Sequence, residues 1–112
     1  MLAEEILTSG EGQVKALVTM AGNPVVSTPN STQLVTALDS LEFMVSIDYY
    51  LNETTRHAHV ILPPCGPLER DHYDLIFNSF AVRNVAKYAP ALFPPDKGAK
   101  EDWQIIHGLL KR

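Results

Sequence analysis

The sequence predicts a small three-layer α/β domain with a mainly parallel sheet and an irregular C-terminal extension that ends in a helix. Two apolar segments lead to this prediction. Val14–Met20 and Phe43–Ile47 are apolar almost throughout instead of alternating with polar residues, which is typical of strands buried on both faces of a parallel sheet. The stretch between them is long enough for one strand–helix–strand crossover, which takes about 30 residues.

Length, composition and charge limit the class of protein. The chain has 112 residues, of which 46% are hydrophobic and 20% charged, so we expect one globular domain with a modest core. A net charge of −4 and the lack of a Lys and Arg cluster argue against a nucleic-acid surface. Cys65 has no second cysteine to pair with, and no apolar run suits a signal peptide or membrane span. We therefore expect a cytoplasmic location and no membrane segment.

The first half of the chain carries the clearest elements. Residues 3–7 read as the end of a helix, and residues 21–24 break the first predicted strand. A second helix follows, with Ser31 or Thr32 as its cap. Its apolar face is expected to consist of leucines at helical spacing: Leu34, Leu38 and Leu41.

The second half is less regular. Residues 53–58 predict a short helix, and residues 59–62 predict a third strand that two prolines stop. Residues 75–85 have strand-like composition and fit a hairpin or an extended arm. A final helix opens at Glu101 or Asp102. Its predicted apolar face comprises Trp103, Ile106 and Leu110.

Three loops leave the carboxyl ends of the predicted strands, where open parallel sheets bind their ligands. These loops are residues 21–24, 48–55 and 63–66. Because parallel strands end at the same edge of a sheet, we expect the loops to lie along one rim although they are far apart in the sequence.

The first two loops carry polar groups that suit a nucleotide. Gly22 lets the backbone approach a ligand closely, and Asn23 offers both an amide donor and a carbonyl acceptor. Asp48 supplies a carboxylate that can accept two parallel N–H bonds from a guanine-like edge. Thr54 and Thr55 stand at a possible helix start, which favours phosphate. The same residues also fit a simpler interpretation, in which Asn23 and Asp48 only cap turns.

No catalytic residue and no metal ligand is predicted in this chain. Cys65 lacks an identifiable histidine and acid to activate it as a nucleophile. With His57, His59 and His72 it matches no standard zinc-ligand spacing. Arg70 lies in a charged cluster after the third loop, which is either a solvated turn or a contact to an anionic ligand.

Several motifs occur in a fixed order along the chain. A strand leads into Gly22-Asn23-Pro24, a second strand ends in Asp48, and residues 52–63 read N-E-T-T-R-H-A-H-V-I-L-P. Glu69 follows, and Glu101-Asp102-Trp103 closes the series. This series resembles the third domain of the molybdopterin oxidoreductases, the family of dimethyl sulfoxide reductase, formate dehydrogenase and periplasmic nitrate reductase. The resemblance covers nearly the whole chain.

The resemblance implies a Rossmann-like domain that binds one of the two molybdopterin guanine dinucleotides around a molybdenum or tungsten ion. It implies that Asn23 lies near the phosphate and ribose and that Asp48 receives the guanine edge. The implied cofactor-binding residues are Gly22, Asn23, Pro24, Asp48, Thr54, Arg70 and Asp102.

The chain departs from the family pattern at two places. His59 replaces the aspartate that usually precedes the V-x-L-P segment. The usual E-x-x-G after the third strand reads Glu69-Arg70-Asp71-His72, without the glycine.

The resemblance also implies that much of the parent enzyme lies outside this sequence. In the family, an iron–sulfur cluster, the protein ligand of the metal and the second nucleotide site belong to other regions. We therefore expect residues 1–112 to be a single domain, a fragment that is not catalytic alone. Its expected partners are the remaining domains of the catalytic subunit and an electron-transfer subunit. The alternatives are a stand-alone nucleotide-binding module and a structural module without redox activity.

Overall fold

The computed structural model describes residues 2–111 and divides into two compact units, one ending at Pro63 and the other beginning at Pro64. The first unit contains α1 (Leu2–Leu7), β1 (Ala16–Met20), α2 (Pro24–Ser27), α3 (Ser31–Asp39), β2 (Phe43–Ile47), a 3₁₀ turn (Thr55–His57) and β3 (Val60–Ile61). The second unit contains β4 (His72–Tyr73), α4 (Leu75–Ser79), β5 (Tyr88–Ala89) and α5 (Asp102–Leu110).

The sheet of the first unit is parallel and has the strand order β1-β2-β3. Its register runs from Ala16 opposite Phe43 to Met20 opposite Ile47. Helix α3 lies on the connection between β1 and β2, as the crossover prediction requires. The α/β class and the parallel sheet are therefore confirmed.

One face of this sheet carries the core. Leu17 and Met44 are opposite each other in the register, so their side chains share a face. The buried cluster on this face joins α1, α2 and α3 to β2 through Ala3, Ile6, Val25, Leu34, Ala37, Leu38, Leu41 and Met44. Removing this apolar surface from water is the main stabilising term of the unit. Two hydroxyls further along the same face, Thr19 and Ser46, bond to each other at 2.8 Å, which satisfies the fully buried serine.

The cap of α3 differs from the prediction. Asn30, not Ser31 or Thr32, is the N-cap, and its side-chain oxygen accepts the Gln33 backbone N–H at 3.3 Å. Asn30 adopts a left-handed backbone with φ 59°, which asparagine tolerates better than serine or threonine. The predicted apolar face is confirmed for Leu34 and Leu38, which are buried; Leu41 is buried too, but it lies beyond the end of the helix at Asp39.

In the second unit, the strand-like prediction for residues 75–85 is wrong. Residues 75–79 form α4, which begins because the Asp74 carboxylate accepts the Phe77 backbone N–H at 2.9 Å. No strand lies between β4 and β5 in the part of the chain that the structure describes, and those two strands pair antiparallel. An apolar run this short has no clear period, so its composition could not separate helix from strand.

The last helix begins where the sequence predicts, with Glu101 as its N-cap and the Glu101 backbone N–H donating to the Gln104 side chain at 2.9 Å. Its predicted apolar face is wrong. Ile105 is the buried residue of α5, whereas Trp103 is 60% exposed and Leu110 is 79% exposed. Apolar residues surround much of this helix, so spacing alone does not identify the side that packs. None of the helices within residues 2–111 has the length and apolarity needed to cross a membrane.

Candidate functional site

The loops that follow β1 and β2 form one surface. The Ala21 backbone N–H donates to the Ile47 carbonyl at 3.0 Å, so the two strands end side by side. Beyond them, the Thr54 hydroxyl donates to the Asn23 side-chain oxygen at 2.7 Å. We call residues 21–24 and 48–56 the strand-end rim. The prediction that these two loops meet is confirmed, and the third predicted loop, residues 63–66, spans the boundary between the units.

Asn23 and Thr54 form the centre of the rim. The Asn23 side-chain amide donates to the Glu53 carboxylate at 2.7 Å while its oxygen accepts from Thr54. The Thr54 hydroxyl also accepts the Val25 backbone N–H at 3.1 Å, and its side chain is fully buried. Pro24 opens α2 at a position where no backbone N–H is needed. Thr54 therefore fixes both the asparagine side chain and the start of α2.

Asp48 directly follows β2 and is 9% exposed. One carboxylate oxygen accepts the Tyr50 backbone N–H at 3.0 Å, and the other accepts the Asn52 side-chain amide at 3.3 Å. The bond to the residue two positions ahead makes an Asx turn, as the simpler interpretation expected. Each carboxylate oxygen can accept a further hydrogen bond, so the group keeps acceptor capacity although it is buried.

The loop after β2 is held together by its own side chains. The Asn52 side-chain oxygen accepts the backbone N–H groups of Thr54 and Thr55 at 3.0 and 2.9 Å. The Thr55 hydroxyl donates to the Tyr50 carbonyl and accepts the Asn52 backbone N–H, each at 2.8 Å. The predicted short helix is only a 3₁₀ turn, and these internal bonds occupy the amides that were expected to bind a phosphate. The contact of Thr54 with a cofactor stays a prediction.

Gly22 is not required by the fold around it. Its backbone lies outside the left-handed region, which Ala21 occupies instead with φ 50°. A Cβ atom added at Gly22 would meet only the Met20 carbonyl oxygen, at the ordinary contact distance of 3.7 Å. The missing side chain therefore leaves open space at the rim that packing within the described chain does not explain.

A cleft of about 520 Å³ opens beside this loop and is lined by Leu51, Asn52, Glu53 and Arg56. The hydrogen bond from Asn23 lowers the pKa of Glu53, with help from a backbone N–H and from the nearby Arg56 charge. Glu53 is therefore a carboxylate at neutral pH. Sequence reasoning assigned neither Glu53 nor Arg56 to a site. The scarcity of Lys and Arg before residue 64 is the signal that could have identified Arg56.

The two remaining predicted site residues meet in the second unit. Arg70 forms an ion pair with Asp102, and their side chains are 30% and 26% exposed. The nearby segment is fixed by the Glu69 carboxylate, which accepts the Gly66 backbone N–H at 2.8 Å. Their pairing satisfies both charges, and their contact with a nucleotide stays a prediction.

His59 bonds to the strand that neighbours it. Its Nδ1 atom accepts the Met44 backbone N–H at 3.0 Å, while its own backbone N–H donates to the Met44 carbonyl at 2.8 Å. The ring also lies 5.4 Å from that of Phe43. Because Nδ1 accepts this bond, the ring hydrogen is assigned to Nε2. The histidine thus provides a hydrogen-bond acceptor where the family pattern has aspartate.

Within residues 2–111, no group of three or more His, Cys, Asp or Glu side chains is arranged to hold a metal ion. The rim instead carries a carboxylate at Asp48, an amide at Asn23 and an unobstructed backbone at Gly22. The family model for molybdopterin oxidoreductase matches residues 2–112. The chain belongs to the molybdopterin oxidoreductase family. Membership implies a molybdopterin cofactor.

Individual molybdopterin oxidoreductases align over most of the chain. It is 36% identical over 100 residues to the assimilatory nitrate reductase catalytic subunit of Bacillus subtilis, covering 88% of this chain and 13% of that protein. It is 35% identical over 108 residues to the F420-dependent formate dehydrogenase subunit alpha of Methanocaldococcus jannaschii, covering 96% and 15%. The thiosulfate reductase molybdopterin-containing subunit of Salmonella typhimurium is 27% identical over 104 residues, covering 93% and 14%. The chain thus spans about one-seventh of the length of these relatives.

Proposed function

We propose that this chain is a domain of a larger molybdopterin oxidoreductase and positions one molybdopterin guanine dinucleotide. In this proposal residues 1–112 act as one domain, and other parts of the catalytic subunit hold the molybdenum or tungsten ion and an iron–sulfur cluster. The bound group supplies electron or oxygen-atom transfer at its metal. The share of this chain is to bind and orient the nucleotide end, so it does not turn over substrate alone.

The bond between Asn23 and Thr54 is the observation that carries this proposal. It joins the loops after β1 and β2 at the carboxyl edge of a parallel sheet, which is where open α/β sheets bind their ligands. Asp48 directly follows β2 at that same edge. This bond fixes the position of the first loop relative to the second.

The side chains of the rim suit the nucleotide end of the cofactor. Asp48 keeps acceptor capacity, and guanine presents two parallel N–H donors to a carboxylate. The open space at Gly22 allows close approach of a phosphate or ribose to the backbone. Tyr50 and Leu51 are 68% and 77% exposed and supply apolar surface for a planar base.

Each predicted contact has a part in this proposal. Asp48 receives the guanine edge, and Asn23, Gly22 and Pro24 lie along the phosphate and ribose. Thr54 acts through Asn23, because its hydroxyl is occupied within the protein. The predicted contacts of the second unit are Arg70 and Asp102, whose ion pair leaves the remaining guanidinium N–H groups as donors.

A structural module without a nucleotide is the second candidate, and one observation favours it. Both Asp48 oxygens accept hydrogen bonds from the loop that follows, and the Asn23 amide is bonded on both sides. Side chains that hold turns in this way need no ligand. In that case the rim has no affinity for guanine nucleotides.

Calorimetric titration of GDP and of inosine diphosphate into the purified chain distinguishes these candidates. The wild-type chain is expected to prefer GDP. Hypoxanthine, the base of inosine diphosphate, lacks the exocyclic amine whose N–H would donate to the second carboxylate oxygen. Asp48→Asn keeps an oxygen for the Tyr50 backbone N–H and loses the acceptor for the Asn52 side-chain amide, and an amide cannot accept both guanine donors. We expect GDP affinity to fall at least about tenfold and the preference to disappear.

Two outcomes would overturn parts of this proposal. If the wild-type chain binds neither nucleotide, the guanine site is wrong and the structural candidate gains support. If Asp48→Asn binds GDP as tightly as the wild type, the rim holds nucleotide without using this carboxylate. Thermal unfolding of the variant, followed by circular dichroism, verifies that its fold is intact.

A further inference from the structure

We propose that Arg56 is the phosphate-binding residue of the strand-end rim and that the cleft beside it receives an organic phosphate. The inference deepens the proposed function and rests on it for the identity of that phosphate, which would belong to the guanine dinucleotide. Three observations carry it: the distribution of cationic side chains, the unpaired state of this guanidinium, and the cleft that it lines.

Cationic side chains are scarce in the first unit. Between residues 1 and 63 the sequence contains only two Lys or Arg residues, Lys15 and Arg56. Lys15 directly precedes β1, and its ammonium lies 2.8 Å from the carboxylate of Glu42, which directly precedes β2. This pair is therefore at the amino end of the sheet. Arg56 is the other Lys or Arg residue of this unit, and it lines the cleft beside the loop after β2.

The Arg56 guanidinium is available to a ligand. It forms no ion pair and no side-chain hydrogen bond with any residue from 2 to 111. Its residue is exposed, whereas its backbone N–H is fixed by the Asn52 carbonyl at 3.1 Å. A free guanidinium on a fixed backbone offers five N–H donors in a planar fork, which matches two oxygens of a phosphate.

The cleft supplies the space that this anion needs. Its volume of about 520 Å³ falls in the range of small-molecule sites, and Leu51 and Asn52 line it with one apolar and one amide surface. Glu53 also lines the cleft; its carboxylate accepts the Asn23 amide at 2.7 Å and is attracted by the Arg56 charge without forming an ion pair with it. A phosphate held by Arg56 would lie on the same loop as Asp48, so one dinucleotide could contact both residues.

Titration with inorganic pyrophosphate, GDP and guanosine tests this inference on the purified chain. We compare the wild type with Arg56→Gln, which removes the charge, and Arg56→Lys, which keeps the charge without the planar fork. Lys15→Gln is the matched control, because it removes the same charge from the other end of the sheet. Arg56 is exposed, so its substitution should leave thermal unfolding unchanged.

In the wild type we expect pyrophosphate and GDP to bind and guanosine to bind more weakly. Arg56→Gln should weaken GDP at least about tenfold and remove measurable pyrophosphate binding, since a charge-assisted pair is lost. The affinities of Arg56→Lys for GDP and pyrophosphate should lie between those of the wild type and Arg56→Gln. The affinities of Lys15→Gln should equal those of the wild type. Addition of salt should weaken GDP binding by the wild type more than by Arg56→Gln.

The outcomes separate this inference from the proposed function. If Arg56→Gln binds pyrophosphate and GDP like the wild type, or if the wild type binds no pyrophosphate, the inference is overturned. If pyrophosphate binding depends on Arg56 but GDP binds no tighter than pyrophosphate, the inference stands and the guanine site fails. If GDP is preferred over inosine diphosphate yet Arg56→Gln changes nothing, the guanine site stands without this arginine.

Discussion

The Thr54 hydroxyl lies 2.7 Å from the side-chain oxygen of Asn23, although the two residues are 31 positions apart in the sequence. This bond connects the loops after the first and second strands of the parallel sheet. It also depends on a residue that is fully buried, so it is part of the fold and not a surface contact. The shape of the strand-end rim therefore depends on the interior of the domain.

Replacing Thr54 with valine should destabilise the chain by about 1–3 kcal/mol, because the buried Val25 backbone N–H would lose its acceptor. Valine has nearly the same shape, so the loss is not due to a cavity. Urea unfolding measures the effect. Thr54→Ser keeps the hydroxyl and should retain most of the stability. Equal stability of the valine variant and the wild type would show that this bond contributes little.

The Asn23 amide should control the charge of Glu53. Its hydrogen bond is the main cause of the lowered pKa of Glu53, so Asn23→Ala should raise that pKa toward its ordinary value. Because the folded pKa is depressed, this interaction stabilises the chain above the unfolded pKa and is lost as pH falls through the folded pKa. Carboxyl ¹³C NMR titration follows the change.

Asp71 is the internal control for that titration. Its pKa is lowered by the Tyr88 hydroxyl and by the Ala91 backbone N–H, and neither partner is altered in Asn23→Ala. The Asp71 titration should therefore be unchanged. An unchanged Glu53 titration in the same spectra would contradict the bond between Asn23 and Glu53.

A substitution at Gly22 should affect ligand binding without affecting the stability of the fold. A methyl group there would make only ordinary contact with the Met20 carbonyl, so Gly22→Ala should leave the free energy of unfolding nearly unchanged. It should weaken GDP binding, since the methyl group occupies space at the rim. Gly108→Ala is the control, because its methyl group meets nothing within 4 Å and lies in the second unit. Equal GDP affinity in both variants would mean that no ligand approaches Gly22.

The imidazole of His59 should carry its hydrogen on Nε2, because Nδ1 accepts the Met44 backbone N–H. Long-range ¹H–¹⁵N NMR spectra at neutral pH report this tautomer directly. His59→Asp restores the residue of the family pattern and an acceptor, whereas His59→Phe removes the acceptor. The phenylalanine variant should lose about 1 kcal/mol or more of stability relative to wild type. A proton found on Nδ1 would refute this assignment.

The sequence predicted an element correctly where the residue pattern that indicates it runs without interruption. The strand Phe43–Ile47 has the predicted bounds because a short, nearly unbroken apolar run is typical of a strand buried in a parallel sheet. The meeting of the first two loops followed from parallel pairing alone. The helix at residues 75–79 was missed because it depends on a single cap, Asp74, within an ambiguous apolar run.

The direction of individual side chains was less predictable. Thr54 stands in a polar loop, and only the structure shows that its hydroxyl is buried between Asn23 and Val25. Asp48 was expected to offer its carboxylate to a guanine-like edge, and the structure shows it buried and accepting two bonds from its own loop. Loop side chains choose between local and ligand bonds according to three-dimensional neighbours, which spacing in a sequence does not record.

The most direct test of nucleotide binding at the strand-end rim is an experimental structure, with cofactor bound, of the polypeptide that carries this chain. We predict the guanine edge within hydrogen-bond distance of the Asp48 carboxylate and a phosphate oxygen at the Arg56 guanidinium. We also predict that the nucleotide passes over Gly22 and Asn23. A guanine that contacts neither the loop after the first strand nor the loop after the second would contradict the central claim.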